Sequence, residues 1–149
     1  MNLLLVDDDT DDTEIFTEAL ASVDDTVDCH CCVNGKVALD WLNHPQAKIP
    51  DLIFMDINMP LMDGWECLGV LKKDSNYKHI PVIMYSTSSH KSMRTMATDA
   101  GAICYFTKPD DYVKLKETIA IIVSSLKQGT ITSICDILRL KQDTPNGNH

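Results

Sequence analysis

A short apolar run, Leu3-Leu4-Leu5-Val6, ends in Asp7-Asp8-Asp9, with Asp11 and Asp12 close behind. The run is too short for a helix and predicts a buried strand. Carboxylates crowded at a strand tip repel one another and lose hydration, which favours protonation or recruits a cation. A hard ion such as Mg²⁺ takes oxygen ligands and relieves that crowding. A second apolar run, Leu52-Ile53-Phe54-Met55, ends in Asp56, and Ile57-Asn58-Met59-Pro60 and Met62-Asp63-Gly64 follow it. Two further strand ends carry Ser86-Thr87-Ser88 and Lys108-Pro109, with Tyr105 three residues before the lysine. Acids, a hydroxyl and one ammonium together fit an aspartyl phosphate. Acids hold Mg²⁺, a carboxylate attacks phosphorus, and the hydroxyl and the cation receive the phosphoryl oxygens.

Taken singly, each of these residues has an ordinary reading. Asp8 and Asp9 suit a helix N-terminus, where the helix dipole favours acids. Lys108 could be a solvated lysine, Tyr105 a packing residue, and the serine run a loop. Their joint occurrence at strand ends is what points to a site.

The elements that must position these groups alternate along the chain. Residues 2–6, 26–32, 51–55, 80–85 and 102–106 read as strands. The helical pattern at 10–22 puts Ile15, Phe16, Ala19, Leu20 and Val23 on one stripe, with Thr10 as N-cap. Helix 35–43 turns Ala38, Leu39 and Leu42 inward and is capped by Asn34. Helix 64–73 repeats Trp65, Leu68 and Leu71. Helix 89–99 carries Met93, Met96 and Ala97 and stops at Gly101. Helix 110–127 repeats Leu115, Ile119, Ile122, Val123 and Leu126. Five strand–helix rounds predict an α/β fold, a mostly parallel, doubly wound sheet covered on both faces. Ligands bind such sheets at the carboxyl ends of strands, near a topological switch point, which is where the acids fall.

Composition narrows the function. The 149 residues suit one domain with a real core. A net charge of −9 argues against partners with phosphate backbones or anionic lipid surfaces, so neither nucleic acid nor membrane is expected. No segment reaches a membrane span, and the N-terminal run is too short for a signal peptide, so the expected location is the cytoplasm. Cys29, Cys31, Cys32, Cys67, Cys104 and Cys135 include no CxxC pair. A metal or redox site at Cys29-His30-Cys31-Cys32 competes with a reading as small buried hydrophobes, and the latter is the expectation. After Gly129, Ile131, Ile134, Ile137 and Leu138 recur at helical spacing. That short amphipathic helix either packs on its own domain or makes a dimer or partner contact. Residues 142–149 are polar and read as a disordered tail.

Four motifs in order, Val6-Asp7-Asp8-Asp9, residues 51–60 with Asp63-Gly64, Gly101-Ala102, and Thr107-Lys108-Pro109, resemble the receiver domain of two-component response regulators. The resemblance covers about residues 2–127. Residues 7–12 and 104–109 are similar to single-domain receivers that serve bacterial phytochrome kinases. It implies a flavodoxin-like five-stranded sheet in the order 2-1-3-4-5. It also implies that Asp56 is the phosphoacceptor, that Asp7, Asp8, Asp56 and the main-chain carbonyl of Asn58 bind Mg²⁺, and that Ser86 is the switch hydroxyl. Lys108 then pairs with the acids and with the phosphoryl group, across a cis Lys108–Pro109 bond, and Tyr105 is the aromatic that reports on Ser86. Residues 1–128 would form the receiver and 129–149 an extension.

The function this implies is a stand-alone phosphorelay protein. It would take phosphate from a histidine kinase or phosphotransfer protein, catalyse only its own phosphorylation and dephosphorylation, and signal to another protein. A homodimer is also compatible. Rival classes fit less well. An aspartate-nucleophile phosphatase needs a second acid where Asn58 stands. A flavin carrier needs a Ser/Thr/Gly-rich first loop rather than five acids. The P-loop pattern is absent. The remaining rival is an interaction module whose acids serve only stability.

Overall fold

The strands are short runs whose residues point alternately to two cores, as a sheet covered on both faces requires. In the computed structural model, which describes residues 1–88 and 90–137 apart from the Thr132 side chain, β1 (Asn2–Val6), β2 (Asp28–Cys32), β3 (Leu52–Met55), β4 (Val82–Ser86) and β5 (Cys104–Thr107) form one parallel sheet. Its order is β2-β1-β3-β4-β5. The chain leaves β1 for one edge and returns to the other side for β3, so the crevice opens between those two strands. Register makes this concrete: Val6 pairs with Met55, and the next residue on each strand is an acid, Asp7 and Asp56.

Helices α1 (Thr10–Val23) and α5 (Tyr112–Gln128) cover one face. There Leu3, Leu5, Phe54, Ile83, Phe106 and Phe16 share a core with Leu115, Ile119, Ile122 and Val123. Helices α2 (Gly35–Leu42), α3 (Gly64–Lys73) and α4 (Lys91–Asp99) cover the other. Leu4, Val6, Ile53, Met55 and Met84 pack there against Ala38, Leu42, Leu68, Leu71 and Ala97. The α/β architecture expected from the sequence pattern and the strand order implied by the resemblance are both present.

Several details differ. The cap of α1 is Asp9, not Thr10: its carboxylate accepts from the Asp11 and Asp12 amides at 3.0 and 3.1 Å, while Thr10 already lies within the helix. Asn34 does cap α2, accepting from the Val37 amide at 2.9 Å. Strands β4 and β5 start later than their apolar runs because the Ile80 and Ala102 amides bond to Tyr77 and Ala97 carbonyls. Both strands also reach one residue further, through the Ser86–Thr107 pair. Ile15 and Met96 lie exposed rather than inward, so the buried stripes of α1 and α4 are narrower than their apolar pattern.

The cysteines divide. Cys32, Cys67 and Cys104 are buried, Cys29 and Cys135 are half-buried, and Cys31 is exposed because β2 is an edge strand. The reading as buried hydrophobes therefore fails at Cys31. After the left-handed Gly129 that closes α5, a 3-10 turn (Ile131–Ser133) leads to Ile134, which is fully buried against the α1–α5 core. Ile131 and Ile134 thus pack on the chain's own domain, while Ile137 is exposed. Leu138 and residues 142–149 lie outside the described residues. No cis peptide bond occurs among the described residues, so the cis Lys108–Pro109 bond implied by resemblance is absent. Trans is the ordinary state of an X–Pro bond, lower by about 0.5–1 kcal/mol. No helix among the described residues is long and apolar enough to cross a membrane.

Candidate functional site

The end of β1 places Asp7 almost fully buried and Asp8 in solvent beside it. The end of β3 places Asp56, buried, next to both. One carboxylate oxygen from each of Asp7, Asp8 and Asp56 lies within 4.8 Å of the others. All the donors are oxygens, the set that suits a hard divalent ion. Backbone amides hold two of the acids in place: Asp9 N donates to Asp7 Oδ1 at 3.0 Å, and Ile57 N to Asp56 Oδ1 at 2.8 Å.

Lys108 closes the hollow from the far side. Its amide donates to the Ser86 carbonyl at 2.7 Å, which fixes its position beyond β5. Its Nζ lies 2.7 Å from Asp7 Oδ2, 2.9 Å from Asp12 Oδ2 and 3.5 Å from Asp56 Oδ2. It also sits 5.5 Å from the centre of the Tyr85 ring. Burial disfavours the ammonium, but hydrogen bonds to Asp7 and Asp12 and the charges of Asp7 and Asp56 outweigh it and hold Lys108 above the ordinary lysine range. Asp56 moves the other way. Burial, then the charge of Asp7, pushes it up to about 6, against the pull of Lys108 and of the Ile57 amide. Asp12 is the member of this set that carried no assigned role in the sequence. Its signal was there: an acid one turn into a helix that starts at the strand tip.

The loop after Asp56 is built to tight tolerance. Asp63 caps α3, accepting from the Glu66 amide at 2.9 Å, while the Glu66 side chain reaches back to the Asp63 amide. This brings Gly64 N to the Ile57 carbonyl at 2.8 Å. A Cβ on Gly64 would fall 2.0 Å from the Asp56 carbonyl oxygen, so only glycine fits. Between them, Met62 N bonds to the Pro60 carbonyl at 2.7 Å, and Leu61 bridges them with φ at 66° while 85% exposed. Asn58 lies exposed in the same loop.

On the β4–β5 side, Ser86 is buried at its strand end. Tyr105 is buried too, and its hydroxyl donates to the Ser88 carbonyl, which also accepts from Thr107 Oγ1 at 3.5 Å. Burial raises the Tyr105 hydroxyl above the ordinary tyrosine range, and hydrogen bonds with Ser88 and Ser86 work against that rise. Ser88 Oγ is buried with no hydrogen-bond partner among the described residues. Asp7, Asp8, Asp56, Ser86 and Lys108 therefore all lie at the carboxyl end of the sheet, and Asp7, Asp8, Asp56 and Lys108 converge on one hollow.

Residues 3–120 match the family model described as the response regulator receiver domain. A probable cyclic di-GMP phosphodiesterase of Vibrio cholerae is 32% identical over 118 residues, 78% of this chain but 25% of that protein. The response regulator Rcp1 of Synechocystis sp. is 30% identical over 112 residues, 71% of this chain and 75% of that one. The crystal structure of the Mn²⁺-bound form of Rcp1 superposes with a TM-score of 0.72 at 27% identity, covering 83% of this chain and 91% of that one. The phosphorylated cyanobacterial phytochrome response regulator RcpA superposes with a TM-score of 0.78 at 30% identity, covering 86% and 94%.

Proposed function

The chain belongs to the response regulator receiver family, and from that premise we propose that Asp56 accepts a phosphoryl group from a histidine kinase or histidine phosphotransfer protein. Receiver domains act in two-component signalling, bind a divalent metal and meet kinases and phosphotransfer proteins. The observation that carries the proposal is the hollow itself: three carboxylates with oxygens within 4.8 Å and one ammonium already paired to two of them, Asp7 and Asp56.

Asp8 and Asp56 would hold Mg²⁺ through side chains, Asp7 through its side chain or a water, and Asn58 through its main-chain carbonyl. An ion held there would supply positive charge to offset the crowded acids and the incoming phosphoryl oxygens. Asp56 is the nucleophile: its free oxygen forms the new O–P bond as the P–N bond to the donor imidazole breaks. Lys108 then exchanges a carboxylate partner for a phosphoryl oxygen, and Ser86 donates to another. The new group adds charge and acceptor oxygens, in the manner of other phospho-groups. Pulling Ser86 toward it would leave space that Tyr105, now bonded to the Ser88 carbonyl, can fill, which favours one of two surface states. Output would run through the α4, β5 and α5 face to another protein, with the kinase docking on α1 and the loops over Asp56. Residues 1–128 act as the receiver and 129–149 as an extension, and the protein's own catalysis is limited to gaining and losing this phosphate.

Incubation with acetyl phosphate and Mg²⁺ tests the reading. A phosphoryl mass gain on Asp56, lost in Asp56→Asn, is expected. No gain would favour the rival interaction module, whose acids serve only stability.

A further inference from the structure

Outside the acid hollow, β2 presents a second group of reactive side chains. Cys29 and Cys31 stand two residues apart on one strand, so their side chains leave the sheet on the same face. Cys31 is exposed, while Cys29 is half-buried against the α1–α5 core. The third cysteine of the strand, Cys32, points to the opposite core and is buried. This pairing takes no part in the proposed phosphoryl chemistry.

We propose that Cys29 and Cys31 form a peroxide-responsive thiol pair in which Cys31 is the site of attack and Cys29 the resolving thiol. Cys31 sulfur attacks one oxygen of hydrogen peroxide, the O–O bond breaks, and water leaves with Cys31 as a sulfenic acid. Cys29 sulfur then attacks the Cys31 sulfur, forms the S–S bond and releases a second water. Two thiols and one peroxide give one disulfide and two waters, so the electrons balance. The exposure of Cys31 beside the half-buried Cys29 on the same face supports this order of events, and the neighbouring Cys29 thiol lowers Cys31 to about 7, against burial and the charge of Asp7.

Strand geometry sets the character of the product. Alternate Cα atoms of a strand are about 6.6 Å apart, at the long end of the roughly 4.4–6.8 Å range of disulfides. Closing the bond must therefore shorten β2 locally. An edge strand can do so, because only its inner side is paired to β1. A bond formed under such strain is readily reduced, which suits a reversible modification. The consequence reaches the acid hollow, because the Cys32 carbonyl accepts from the Asp7 amide at 2.9 Å. A shortened β2 shifts that carbonyl and with it the backbone that carries Asp7.

The test treats the full chain with hydrogen peroxide, alkylates it and maps the peptides. A Cys29–Cys31 cross-link that dithiothreitol removes is expected. Cys29→Ala should instead leave Cys31 trapped by dimedone. Phosphorylation by acetyl phosphate and Mg²⁺ should fall several-fold in the oxidised protein and recover on reduction. Cys31→Ser should phosphorylate like the reduced protein, with or without peroxide. Recovery of Cys29 and Cys31 both alkylated after peroxide would overturn the proposal, as would oxidation that settles first on Cys135. The inference about regulation rests on the receiver reading, and the arms separate the two. Failure of the reduced protein to gain phosphate strikes that reading alone, whereas absence of the cross-link strikes only this one.

Discussion

Gly64 stands so close to Asp56 that a single added carbon would lie 2.0 Å from the Asp56 carbonyl oxygen. The obstacle is backbone, which cannot swing aside as a side chain can. Gly64→Ala should therefore displace the loop that carries Asp56 and cost about 1–3 kcal/mol, the range for overpacking. Urea denaturation would show it as a lower midpoint, and phosphorylation by acetyl phosphate should slow. An unchanged midpoint would mean that the loop is slack.

Asp56→Asn should stabilise the protein in the absence of divalent ions. The folded-state carboxyl is raised to about 6 from 3.8. Below 3.8 both states bind the proton and the raised value contributes its full stability; that contribution is lost as pH rises through 6. Above that pH the wild type carries a disfavoured charge that asparagine lacks. That rise corresponds to at most about 3 kcal/mol, of which the lost attraction to Lys108 takes part. Thermal melts in EDTA at pH 5 and pH 8 should show the gap between variant and wild type widening with pH. A lower melting temperature for the variant at pH 8 would contradict the account.

Lys108→Ala leaves Asp7 and Asp56 buried without their cation. Breaking a buried pair at one partner typically costs about 3–5 kcal/mol, and the partial exposure of Asp12 places this case at the lower end. Mg²⁺ should restore more stability to the variant than to the wild type, because the ion supplies the missing positive charge. Phosphorylation should be poor or fail to alter the surface of residues 88–115, read by backbone amide shifts. Equal Mg²⁺ responses in the two proteins would argue that the acids do not share an ion.

Leu61 occupies the left-handed region while almost wholly exposed. It gives up backbone comfort and gains no burial. Leu61→Gly or Leu61→Asn should thus be neutral or stabilising, by up to about 1–2 kcal/mol for the asparagine, which tolerates that region. Chemical denaturation of the metal-free proteins checks it. A clear loss of stability would show that the leucine makes a contact the isolated chain needs.

Ser86→Ala should still accept phosphate, because Asp56 and the acids are untouched. It should lose the phosphorylation-dependent change around Tyr105. Tyr105→Phe removes the hydroxyl bonded to Ser88 O and should loosen the β4–α4 loop at a cost of about 1 kcal/mol. Comparing amide shifts before and after phosphorylation separates the two. A full response in Ser86→Ala would remove that serine from the switch.

Much of this was legible from residue order. Apolar runs that stop at Asp7, Asp56, Ser86 and Lys108 announce strands ending in chemistry, since a buried strand must be apolar on both sides. Helix stripes were read too wide at Ile15 and Met96, because periodicity reports which residues could be buried and not how far a neighbouring helix extends over them. Thr10 and Asp9 are both good caps by type, and only backbone dihedrals separate them. Cys31 looked like its buried neighbours because nothing local says that β2 is an edge.

What the sequence alone determined is the inventory: which residues can bear charge or attack phosphorus, and that each follows directly on a strand. What only the tertiary structure decided is their distances. The order β2-β1-β3-β4-β5 sets Asp7 beside Asp56, and Lys108, more than a hundred residues from Asp7 in sequence, 2.7 Å from it in space. Those separations arise from long-range register and packing across the sheet, which no local pattern encodes. The same is true of the 2.0 Å clearance that excludes a side chain at Gly64.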